Sequence, residues 1–109
     1  MPGYFLRDTV HACELLETLS LNNVKLMFDV YHVGRTEGQV IDRFSSCLPL
    51  IGHVQFASVP DRGPPGHGEI ELDSIFDAID HSGWSQPLGA EYKISGSTED
   101  TLGWMRPYI

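Results

Sequence analysis

Five side chains have the types and spacing to do chemistry together: Asp29, Gln55 and Glu91, with His32 and Arg62 close behind the first two. Asp29 follows Leu26-Met27-Phe28, Gln55 lies in His53-Val54-Gln55, and Glu91 follows Leu88-Gly89-Ala90. Each therefore stands near the end of a short apolar run. Carboxylate and amide oxygens are hard donors, and three of them together suit a divalent cation such as Mg²⁺ or Mn²⁺. They suit structural zinc poorly, because closed zinc sites draw on Cys and His. His32 is expected in the loop just beyond the first run, where its imidazole can hydrogen-bond a substrate oxygen. Arg62, in Pro60-Asp61-Arg62, can grip a carboxylate through two parallel N–H groups. Each residue taken alone has a plainer reading. An Asp at a strand end is commonly a helix cap or a surface acid, a Gln in an apolar strand is commonly a hydrogen-bonded core residue, and a loop His or Arg is commonly just solvated. The same placement three times over is what points to a site.

These residues act together only if regular elements bring them to one place. From Asp8 to about Leu19, the residues Val10, Cys13, Leu15, Leu16 and Leu19 recur at helical spacing, with Asp8 or Thr9 as the cap. Val24 to Val30 reads as a strand covered on both faces. A second helix is expected from Glu37 to about Cys47, and a second strand from Ile51 to Ala57. Pro60 to Gly68 is too rich in Pro and Gly for regular structure. Asp73 looks like the N-cap of a third helix whose apolar face is Ile75, Phe76 and Ile79, with Gly83 past its end. Leu88 to Tyr92 is a third strand, and Thr98 to Met105 begins a last helix.

Helices and strands thus alternate, which implies parallel strands joined by right-handed crossovers and an α/β fold. In such folds the site forms at the carboxyl ends of the strands, where Asp29, Gln55 and Glu91 fall. Three strands are too few to close a barrel, and an open sheet of three has two unpaired edges. Residues 1–109 are therefore expected to be part of something larger. Alone, they should aggregate, form a homo-oligomer or fold only marginally.

Composition narrows the function classes. Seven Lys and Arg against fifteen Asp and Glu leave a formal charge of −8, which disfavours nucleic acid and anionic membrane as partners. No apolar run reaches the roughly 20 residues that cross a bilayer, and no secretory signal is visible, so a cytoplasmic or organelle-matrix location is expected. Cys13 and Cys47 have neither metal-ligand nor redox-motif spacing and read as buried free thiols.

Several segments together resemble a known family. Phe28-Asp29-Val30-Tyr31-His32, Gly52-His53-Val54-Gln55, Val59-Pro60-Asp61-Arg62-Gly63, Gly68-Glu69-Ile70 and Gly89-Ala90-Glu91-Tyr92-Lys93 come in the order found in the hydroxypyruvate isomerase family. Thr98-Glu99 and Leu102-Gly103-Trp104 follow. That family belongs to the xylose-isomerase-like TIM barrels. The resemblance implies that residues 1–109 are a single partial domain, the C-terminal segment of a (β/α)8 barrel. It also implies a divalent metal, Mg²⁺ or Mn²⁺, held by a Glu, an Asp, a Gln or His, and a final Glu. Asp29, Gln55 and Glu91 match the last three, and His32 and Arg62 match substrate-contacting positions. Glu91 matches the second of two glutamates that exchange the substrate proton. The first would sit before the stretch resembling Pro2 to Leu6 and is expected to lie beyond Met1. The implied reaction isomerises hydroxypyruvate to tartronate semialdehyde through an enediolate, an intramolecular oxidoreduction on a small 2-oxo or hydroxy acid or sugar. Without the first glutamate, the 109 residues alone are expected to be inactive, at most a binding module. A ketose 3-epimerase is the nearest enzymatic alternative, disfavoured because that group usually has His where Gln55 stands.

Overall fold

Asp8 opens the first helix, α1 (Thr9–Leu19), by accepting a hydrogen bond from the His11 amide at 2.8 Å. This satisfies one of the amides that every helix start leaves unpaired. At the other end Ser20 turns left-handed, with φ 52°, and its amide donates to the Leu16 carbonyl. The structure, a computed structural model, describes residues 6–66, 68 and 71–108.

Three strands follow, β1 (Leu26–Asp29), β2 (Ile51–Phe56) and β3 (Leu88–Ala90), all parallel and in the order β1-β2-β3. Between them run the helices α2 (Val30–Thr36), α3 (Val40–Cys47) and α4 (Leu72–His81). The fold is α/β, and the sheet's two faces differ sharply. Met27 is 54% exposed whereas its neighbour Phe28 is 1% exposed, as successive strand residues point to opposite sides. Phe28, Val54 and Phe56 face the helices and join Val30, Phe44, Ile75 and Ile79 in one core. There Phe28 meets Phe44 edge-on at 5.5 Å between ring centroids, and Phe56 meets Phe76 at 4.8 Å. Such pairs contribute about 0.5–1.5 kcal/mol beyond the area they bury. The opposite face carries Met27, Asp29, His53, Gln55 and Gly89.

Four expectations need correction. The helix expected from Glu37 to Cys47 is α3 alone and starts only at Val40, because Gly38 and Gln39 are left-handed at φ 72° and 50°, and an unexpected helix, α2, precedes it directly after β1. Asp73 is not an N-cap. Glu71 holds that position without a side-chain cap bond, and burial of Leu72 in the core draws the helix start back to it. Asp73 lies in the first turn, where its charge still favours the helix dipole. The third strand ends at Ala90 instead of Tyr92, because the Lys93 amide donates to the Arg62 carbonyl at 2.7 Å and takes the chain away from β2. The last helix is a 3-10 helix over Glu99–Tyr108, whose Pro107 has no amide to donate.

Candidate active site

Sheet register brings the candidate residues into one row. Asp29 pairs with Gln55, and Gln55 pairs with Gly89. Paired positions in adjacent strands lie about 4.8 Å apart, with side chains on the same face. Glu91 lies two residues past Gly89 and so returns to that face. Its amide donates to the Phe56 carbonyl at 3.0 Å, which continues the ladder one step past β3.

Side-chain contacts then tie the row together. The Gln55 amide nitrogen donates to Glu91 Oε2, and the other Glu91 oxygen lies 3.3 Å from Arg62 Nη2. The Arg62 guanidinium also sits 5.2 Å from the centre of the Tyr31 ring, a cation–π arrangement. Asp29 Oδ1 accepts from the His32 amide at 3.0 Å. Asp29 is thus the N-cap of α2, so its plainer reading as a helix cap is true as well. His32 belongs to the first turn of α2 and not to a loop, because the capped helix starts at Val30 with no linker. Its ring meets that of Tyr31 edge-on at 5.0 Å.

Arg62 owes its position to a tightly bonded loop. The buried Ser58 donates its amide to Gly63 O at 2.9 Å and its hydroxyl to Pro64 O at 2.8 Å. The Arg62 amide returns to Ser58 O at 2.9 Å, and Asp61 Oδ1 accepts from the Gly63 amide at 2.9 Å. Arg62 itself is left-handed at φ 61°, a conformation that non-glycine residues hold only when their surroundings impose it. Ser58 and Tyr31 are the participants that sequence reasoning missed. Besides the Pro and Gly content that marked the loop, its internal bonding was signalled by the Asp61-x-Gly63 spacing of an Asx turn.

The other histidines divide clearly. His53 shares the polar face of the sheet with Gln55, and its ring lies against Gly89. A Cβ at position 89 would stand 3.2 Å from His53 Nε2. His81 ends α4 with Nδ1 2.7 Å from the Asp77 carbonyl. His67 lies outside the described residues, as do Glu69 and Ile70 of the Gly68-Glu69-Ile70 segment. The Lys93 side chain is exposed, and its amide is what contacts the loop. Beside β1 opens a cleft of about 460 Å³ whose walls include Arg7, Asp29, His32 and Arg62. Asp8 and Glu37 line it as well, so its two guanidinium groups stand among three carboxylates.

The donor set fits a hard divalent cation in part. Asp29 accepts one bond on one oxygen, and a carboxylate offers about four lone-pair sites. Gln55 donates to Glu91 through nitrogen and keeps its amide oxygen as an acceptor. Among the described residues no group of three or more His, Cys, Asp and Glu converges on one point. The sheet therefore offers two carboxylates and an amide oxygen, a set that water or further ligands would complete.

Comparison with known proteins agrees with this architecture. The family described as "Xylose isomerase-like TIM barrel" matches residues 1–108. Hydroxypyruvate isomerase of Escherichia coli is 39% identical over 108 residues, which cover 99% of this chain and 42% of that protein. 2-Oxo-tetronate isomerase of Cupriavidus necator is 35% identical over 109 residues, covering 100% of this chain and 42% of that protein. The crystal structure titled AP endonuclease, family 2, from Brucella melitensis superposes with a TM-score of 0.92 at 34% identity. That match covers 99% of this chain and 42% of the Brucella chain. The chain thus spans about two fifths of the length of the proteins it matches.

Proposed function

The chain belongs to the xylose isomerase-like TIM barrel family, and from that premise we propose that the protein is an isomerase of small 2-oxo or hydroxy acids. The reaction is hydroxypyruvate to tartronate semialdehyde through an enediolate. The observation that carries this reading is the contact chain Gln55–Glu91–Arg62 at the carboxyl edge of the sheet, in register with Asp29. It unites a proton-transfer group, oxygen donors and a carboxylate-binding cation in one place.

The chemistry needs a proton taken from the carbon beside a carbonyl and returned one carbon away. Glu91 is the carboxylate for one side of that exchange, and must come within hydrogen-bond reach of the carbon-bound proton. Arg62 turns from Glu91 to the substrate carboxylate, which it can hold through two parallel bonds. The His32 ring donates to a substrate oxygen. Asp29, Gln55 and Glu91 would hold a divalent cation, Mg²⁺ or Mn²⁺. When bound, that ion polarises the substrate's carbonyl and hydroxyl oxygens and offsets negative charge as it develops. Gln55, where ketose 3-epimerases usually carry His, favours the acid isomerase over the epimerase.

The test is turnover by the intact protein, followed by NMR in D2O. The expected result is tartronate semialdehyde from hydroxypyruvate with deuterium at the exchanged carbon. No turnover and no exchange, with either hydroxypyruvate or 2-oxo-tetronate, would overturn the proposal.

A further inference from the structure

Away from the sheet's polar face, the outer helical layer holds two thiols in contact. Cys13 lies midway along α1, and Cys47 is the last residue of α3. Their sulfurs are 2.9 Å apart although 34 residues separate them in the chain. Cys47 is buried, and Cys13 is partly open to solvent, so a small reagent can reach the pair from one side. A bonded pair sits at about 2.05 Å, so closure requires a movement of less than about 1 Å. Helix α3 ends at Cys47 and gives way to a 3-10 turn, Leu48–Leu50, where the chain can make that adjustment.

We propose that Cys13 and Cys47 are a modification site, a dithiol that a small-molecule disulfide converts to a reversible Cys13–Cys47 disulfide. Cys13 loses its proton to solvent and its sulfur attacks one sulfur of the reagent R–S–S–R. The reagent's S–S bond breaks, and one R–S⁻ leaves and is protonated. Cys47, deprotonated in turn, attacks Cys13 Sγ and expels the second R–S⁻, also protonated. The protein has then lost two protons and two electrons, and the reagent has become two thiols. Burial, then the neighbouring Cys47 thiol and the charges of Glu17 and Glu37, push the Cys13 thiol up to about 12. Few thiolates form at neutral pH, so the first step is slow and quickens under mildly alkaline conditions. A sulfur of high pKa is also a poor leaving group, so the finished bond resists exchange. The bond closes a loop that contains β1 and α2, and with them Asp29 and His32.

The experiment treats the folded, intact protein with oxidised glutathione at mildly alkaline pH and maps the peptides by mass spectrometry. The expected product is a linked Cys13–Cys47 peptide pair, about 2 Da lighter than the two thiol peptides together, with both thiols lost to alkylation and recovered with dithiothreitol. Cys47→Ser should stop at a stable glutathione adduct on Cys13. The proposal is overturned if the folded wild-type protein keeps both thiols alkylatable, stops at the adduct, or links the two only after unfolding in urea. The wild-type result decides the matter even if the variant fails to fold.

Discussion

Arg62 has its partners in place before any substrate arrives: Glu91 at 3.3 Å, the Tyr31 ring at 5.2 Å, and a backbone bonded at both its amide and its carbonyl. A planar guanidinium serves all of these, whereas an ammonium can neither stack as well nor bind a carboxylate through two parallel bonds. Arg62→Lys should therefore raise KM for an acid substrate about tenfold, roughly 1.4 kcal/mol of binding, with a smaller change in kcat. Steady-state kinetics separates the two effects, and an unchanged KM would remove Arg62 from substrate binding. At this scale the sequence was partly legible. Asp29, Gln55 and Glu91 stood out because an oxygen-bearing side chain closes each of three apolar runs. The Tyr31 stack and the Ser58 bonds were not legible, because both depend on how residues far apart in the chain meet.

Among the elements, the loop between β2 and α4 does the most to aim the site, and Gly68 is its tightest point. A Cβ there would stand 2.2 Å from the Val59 carbonyl oxygen, and the backbone is at φ 105°, which L side chains rarely adopt. That oxygen is a backbone atom, so no side chain can move aside. Gly68→Ala should cost about 1–3 kcal/mol of stability and loosen the loop that carries Arg62. A thermal melt of the intact protein reads this directly, and an unchanged midpoint would contradict it. The elements themselves were largely legible, since α1, α4 and β2 fell where periodicity and apolar runs indicated. Helix α2 was missed because its first residue, Val30, is apolar and reads as a continuation of β1. Nothing in the spacing showed that the Asp29 side chain would cap a helix there and end the strand. The final 3-10 helix was read as an ordinary helix because its caps and charges suit both kinds.

At the scale of the whole molecule, the sheet has one face buried under helices and one carrying polar and half-exposed side chains, with all three strands ending at the same edge. The shared edge of polar strand ends was foreseeable from alternation, but the first strand, expected to be covered on both faces, leaves Met27 54% exposed. The close fit of Glu91 between Gln55 and Arg62 was not foreseeable, since it arises only when β2, β3 and the Arg62 loop assemble. An acidic chain of net charge −8 brings Arg7 and Arg62 to one cleft, among the carboxylates of Asp8, Asp29 and Glu37. The whole reading turns on Glu91 as a proton-transfer group. The most direct test compares wild-type protein with Glu91→Gln, in the intact chain, for exchange of the carbon-bound protons of hydroxypyruvate in D2O. Gln keeps the shape and the contact with Gln55 but cannot take a proton. The account predicts that exchange falls by about 10²–10⁴-fold while the folded structure is retained. Exchange at the wild-type rate in a folded Glu91→Gln protein would contradict it.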